Sequence, residues 1–381
     1  MKTSKKELII ISVFGILTGI IAVSLVFFGN PANMGFCIAC FIRDTVGGLG
    51  LHSAGVVQYI RPEIIGLILG SFLLSLVRKE FAPKGGSATI TRFILGFFVM
   101  VGCLVFLGCP FRMILRLSAG DLNALIGLLG FSCGIGVGVF FLKKGFSLKR
   151  SYRQPVTEGV AMPVIAIVLL VLLVTAPAFI IFSEKGPGSM HAPIILSLCA
   201  GLLVGGMAQY SRLCMVGGIR DLILFREKKL ILGFGAIFVA ALIGNLITGK
   251  FNLGLTNQFG VVAHFDILWN FLGMLLVGYG CVLLGGCPLR QLILAGEGNS
   301  DSAVTVLGLA VGAAFCHNFG IAATAASKSA DGACRSPNRL TDCSFCPQWN
   351  AYSPPASRSR ERAGTARTGP DSYNPRCWGT A

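Results

Sequence analysis

The chain has 381 residues, of which 54% are hydrophobic and 13% charged, with 50 glycines. A soluble domain carries about 25% charged residues, so half that share beside so much apolar mass excludes a string of water-soluble domains and disorder over most of the chain. The formal charge of +16 clusters in short loops between apolar runs, the signature of cytoplasmic loops rather than of a nucleic-acid surface.

Lys2, Lys5 and Lys6 precede an apolar run over residues 8–28. The run exceeds the hydrophobic region of a secretory signal and has no small-x-small cleavage site, so it predicts a retained helix with a cytoplasmic N-terminus. Residues 29–50 are Gly-rich, hold Cys37, Cys40, Arg43 and Asp44, and are too broken to span; they predict a re-entrant or interfacial segment. Spans are expected over 63–77, 93–108 and 122–142, with basic loops after the first and the last. A connector span is expected over 162–182 and a polar loop over 183–191. Further spans follow over 192–208, 231–247, 267–285 and 303–321. A second broken segment carries Arg212, Cys214, Arg220 and Asp221 and ends in Arg226, Lys228 and Lys229. Cys133 and Cys199 read as small buried hydrophobes, and His317 as a packed or interfacial histidine.

Two motifs recur. Cys37-Ile38-Ala39-Cys40-Phe41-Ile42-Arg43-Asp44 matches Cys214-Met215-Val216-Gly217-Gly218-Ile219-Arg220-Asp221. Gly102-Cys103 with Gly108-Cys109-Pro110-Phe111-Arg112 matches Gly280-Cys281 with Gly286-Cys287-Pro288-Leu289-Arg290 at nearly the same offset. Such agreement marks a duplication. Five expected crossings precede the second copy, which therefore starts on the opposite side of the membrane. The charges agree, because the loop near residues 78–92 is basic and its counterpart near 250–263 is nearly uncharged. The expected fold class is an all-α polytopic integral membrane protein of two inverted-topology repeats with re-entrant or broken helices. Its divisions are 1–150 for the first repeat, 151–190 for the connector, 191–321 for the second repeat and 322–381 for a polar tail.

Proline cannot continue the helix before it but suits a helix's first turn. In Gly-Cys-Pro-x-Arg the cysteine thus falls at a helix break, where free N–H groups and the helix dipole favour an anion or a thiolate. Arginine at membrane depth is costly, so Arg43, Arg112, Arg220 and Arg290 beside these cysteines are either substrate-binding groups or members of structural Arg–Asp pairs. Cys37-x-x-Cys40 has the spacing of a redox or metal pair, but the second copy replaces its second cysteine with Gly217. No second ligand pair lies at suitable spacing within the spans, Cys343-x-x-Cys346 belonging to the tail, and neither a metal nor a cofactor is expected.

At Gly286-Cys287-Pro288-Leu289-Arg290-Gln291-Leu292-Ile293, Ala295-Gly296-Glu297-Gly298-Asn299 and the paired Cys…Ile-Arg-Asp segments, the sequence resembles the YeeE/YedE family of sulphur-transport membrane proteins, its selenium-metabolism YedE branch most of all. The resemblance implies an inner-membrane permease for a small sulfur or selenium anion, thiosulfate-like, passed along membrane cysteines through S–H···S contacts without covalent turnover. Carried over by motif, the relay positions are Cys37, Cys109 and Cys287, with Cys214 added by the repeat. No catalytic residue is implied. Two rival readings are a membrane thiol oxidoreductase using Cys37–Cys40, and a scaffold delivering sulfur or selenium to a soluble sulfurtransferase-like partner. From residue 322 the sequence turns rich in Ser, Pro and Arg and contains no span. This predicts a disordered tail of frameshift or fusion origin.

Overall fold

The computed structural model describes residues 5–255, 264 and 266–323. The tail expected from residue 322 lies outside the described residues from 324 onward. Thirteen helices are described: α1 (Lys5–Phe27), α2 (Ile38–Gly48), α3 (Pro62–Val77), α4 (Thr89–Phe106), α5 (Pro110–Ser118), α6 (Leu122–Lys143), α7 (Val156–Thr175), α8 (Ile194–Ser211), α9 (Met215–Phe225), α10 (Lys229–Ile247), α11 (Ile267–Leu284), α12 (Pro288–Gly296) and α13 (Ser300–Asn318). Two two-residue strands, β1 (Lys84–Gly85) and β2 (Tyr152–Arg153), pair antiparallel.

Among the described residues, eight helical stretches are long and apolar enough to cross a membrane, and the shorter α3 is also apolar. A 20-residue helix rises about 30 Å, the thickness of a hydrocarbon core. The chain is a multi-pass membrane protein. α7 shows the lipid solution plainly: Val164, Ile165, Ile167, Val168, Val171 and Val174 are all exposed.

The connector departs from the sequence expectation. α7 starts six residues before the expected 162 and ends at Thr175 rather than at 182. Pro177 disfavours helical geometry at the residue before it, and Ala176 caps the helix in the left-handed region (φ 40°). The apolar residues that follow therefore belong to the α7–α8 loop, whose Ile181 and Ser183 N–H groups donate to Gly48 and Gln58 carbonyls instead of continuing a helix.

Helix order before α7 is long, short, long, long, short, long, and the same order recurs after it. α1 packs on α10 and α3 on α8; α4 packs on α13 and α6 on α11; α4 and α11 meet between them. Exchanging each helix for its counterpart in the other half maps this pairing onto itself. Small residues allow the close approach: a Cβ on Gly66 would lie 2.6 Å from the Leu198 carbonyl, and one on Gly201 2.6 Å from the Glu63 carbonyl. Apolar surface gains little from leaving lipid, so such backbone contact is what holds membrane helices together.

Candidate functional site

Four short helices, α2, α5, α9 and α12, carry the site. They have 11, 9, 11 and 9 residues. At 1.5 Å per residue each is about 14–17 Å long, half a bilayer core. Their N-cap residues are Cys37, Cys109, Cys214 and Cys287, the four relay positions expected from sequence.

The caps are made in two ways. The Cys37 and Cys214 sulfurs accept the N–H groups of Cys40 and Gly217, each at 3.4 Å. Cys109 and Cys287 are extended (ψ 171° and 168°) because a proline follows, and Pro110 and Pro288 occupy the first helical position. Just before them, α4 ends at a left-handed Leu107 (φ 58°) and α11 at a left-handed Gly285 (φ 80°). Each break points a helix N-terminus, with its unpaired N–H groups and positive dipole end, at a cysteine.

The fold then pairs these cysteines. Cys37 and Cys109 face each other through their side chains, and Cys214 lies 3.9 Å from Cys287, sulfur to sulfur. All four are buried free thiols. Phe36 and Phe111 wall the first pair, edge to face with centroids 6.2 Å apart.

The arginines sort differently on the two sides. Arg43 donates from Nε (2.8 Å) and Nη2 (2.6 Å) to Oδ1 of Asp44, whose Oδ2 accepts from Arg61 Nε at 2.8 Å. Arg61 also holds the carbonyls of Met190 (3.0 Å) and Pro187 (2.8 Å). Arg112 donates to the carbonyls of Leu107 and Asn33 and lies 3.6 Å from the Cys40 sulfur. Arg116 pairs with Asp121 at 2.7 Å and donates to the Phe106 carbonyl at 2.8 Å. These four guanidiniums are at most 2% exposed. In the second half, Arg220 pairs with Asp221 at 2.8 Å, Arg290 with Glu297 at 3.1 Å, and Arg212 with Glu297 (3.0 Å) and Glu80 (2.9 Å), all partly exposed.

Arg43, Arg112, Arg220 and Arg290 thus all lie in the half-helices that carry the cysteines, and Arg112 also reaches a thiol, that of Cys40. Sequence reasoning missed Arg61, Arg116 and the Glu80–Arg212–Glu297 bridge. Arg61, placed directly before Pro62 and Glu63 at the head of a span, was the available signal. Cys133 and Cys199 are exposed on α6 and α8 rather than buried, so they face the lipid side of their helices. His317 stacks on His52, ring centroids 4.7 Å apart.

Half-helix N-termini that meet at buried thiols resemble the broken-helix sites of membrane transporters. Residues 210–338 match the model of the Sulphur transport family. Over 113 residues the chain is 31% identical to the thiosulfate transporter TsuA of Escherichia coli (strain K12), a stretch covering 29% of this chain and 30% of that relative. Both matches are to sulphur-transport proteins, and the chain spans less than a third of the length of the curated relative it matches.

Proposed function

We propose that the chain passes a small sulfur-containing anion, thiosulfate or a selenium analogue, across the cytoplasmic membrane along Cys37, Cys109, Cys214 and Cys287. The observation that carries this reading is the pairing of four cysteines, each buried at the N-terminus of a half-helix. Neither charge nor sulfur alone accounts for it. An anion entering an apolar core needs donors to replace its water, and free helix N–H groups with S–H groups beside them supply these without a cationic trap. The arginines are then anchors: the ion pairs of Arg43, Arg220 and Arg290 and the bonds of Arg112 to backbone carbonyls hold the half-helices in place. The name of the matched relative points to the same substrate class.

In this reading the two halves are inverted repeats, with the N-terminus and the basic group Arg226, Lys228 and Lys229 cytoplasmic. A soluble sulfurtransferase-like partner would receive the anion on that side. Uptake of radiolabelled thiosulfate into vesicles tests the relay. Cys109→Ala and Cys287→Ala each reduce uptake by about tenfold or more, the scale of removing a hydrogen bond to a charged group, while Cys40→Ala has a mild effect. Uptake that persists in the Cys109/Cys287 double variant sinks the relay. A mixed disulfide trapped at Cys37 or Cys40 would instead support a thiol oxidoreductase.

A further inference from the structure

Two further thiols belong to the same buried core as the two cysteine pairs. Cys103 on α4 and Cys281 on α11 occupy matching positions of the repeat, each shortly before the break that ends its helix. Their carbonyls tie those breaks: Gly108 N–H donates to Cys103 at 2.8 Å, and Gly286 N–H to Cys281 at 3.0 Å. Beside Cys103, α4 comes to backbone contact with α11, since a Cβ on Gly102 would lie 2.6 Å from the Gly273 carbonyl and one on Gly273 2.9 Å from that of Gly102. Both thiols are 0% exposed and free. Cys103 lies within electrostatic reach of Cys281, Cys37 and Cys40, and Cys281 within reach of Cys214 and Cys287.

Cys103 and Cys281 recur at one point of both halves, each within electrostatic reach of one relay pair and Cys103 also of Cys281. We propose that Cys103 and Cys281 form the middle step of the anion path, their S–H groups taking the sulfur anion from the Cys37–Cys109 pair and handing it to the Cys214–Cys287 pair. This rests on the transport reading above and adds two binding residues to it. No covalent bond forms and nothing is oxidised; the anion exchanges one set of S–H donors for another.

The test uses the full chain, with radiolabelled thiosulfate uptake into vesicles and thiosulfate binding to the purified protein. The expected result for the Cys103→Ala/Cys281→Ala double variant is uptake reduced by about tenfold or more with binding within about twofold, because the entry pairs still hold the anion. Each single variant retains more uptake than the double, since one thiol still bridges the gap. Uptake near that of the unaltered chain overturns the proposal, as does loss of binding together with uptake, which would mark a packing role. If the double variant keeps its uptake while Cys109→Ala abolishes it, this step fails and the transport reading survives. If Cys109→Ala and Cys287→Ala also leave uptake intact, both fall.

Discussion

At the scale of single residues, burial decides what an ion pair does. Asp44 lies between Arg43 and Arg61 with none of the three more than 2% exposed. Removing that carboxylate strands two buried guanidiniums, and breaking a buried pair costs about 3–5 kcal/mol. The related pair in the second half, Arg220–Asp221, is 25% and 16% exposed. A pair open to water contributes about 0–1 kcal/mol. Asp44→Asn should therefore lower the thermal unfolding midpoint sharply, while Asp221→Asn barely moves it. Equal losses in the two variants would show that the motif's arginines carry the same load in both halves. The contrast was not legible in the sequence, where both pairs read Ile-Arg-Asp; Arg61 and the α7–α8 loop that bury the first pair come from distant parts of the chain.

At the scale of elements, one exposed cluster joins the ends of three helices. Glu80, just beyond α3, accepts from Gln209 on α8 at 2.7 Å and from Arg212 at 2.9 Å, and Arg212 reaches Glu297 at the end of α12. The Gln209 hydrogen bond, with Arg212 and Arg78 beside it, holds the Glu80 carboxyl below its usual value of 4.5. A carboxyl depressed in the folded state adds stability that is fully present above the unfolded value and is lost as pH falls through the folded one. Unfolding of Glu80→Gln and the unaltered chain should thus differ at neutral pH and converge in acid below 4.5. A gap that persists in acid would mean that Glu80 acts through something other than its charge. The breaks themselves were legible in the sequence: Cys-Pro after an apolar run announced α5 and α12, because proline's missing N–H admits only a helix start. The end of α7 was misplaced because apolar character continues past Pro177, and hydropathy alone does not register a backbone turn.

At the scale of the whole molecule, two helix sets of the same order pack so that the main helix pairings, α1–α10 with α3–α8 and α4–α13 with α6–α11, have their counterparts in the other half. If the halves are inverted, the α3–α4 and α10–α11 loops lie on opposite faces. Cysteines placed at the exposed Lys84, Lys228 and Lys250 positions and treated with a membrane-impermeant maleimide check this. Lys84→Cys and Lys228→Cys should label from one side and Lys250→Cys from the other. Labelling of Lys84→Cys and Lys250→Cys from the same side would refute the inversion. The sequence by itself determined the solvent, the spans and the repeat, because each is written in local composition: apolar length, charge at loops, and residue order that recurs. It also marked the four cysteines, since a helix start and a thiol beside it are local facts. Only the tertiary structure decided that Cys37 meets Cys109 and Cys214 meets Cys287, and that Arg43, Arg61, Arg112 and Arg116 are sealed while Arg212, Arg220 and Arg290 are partly open. Those outcomes depend on which helices pack together, and in a membrane that is set by small residues and shape across long stretches of chain, with no hydrophobic pattern to announce it.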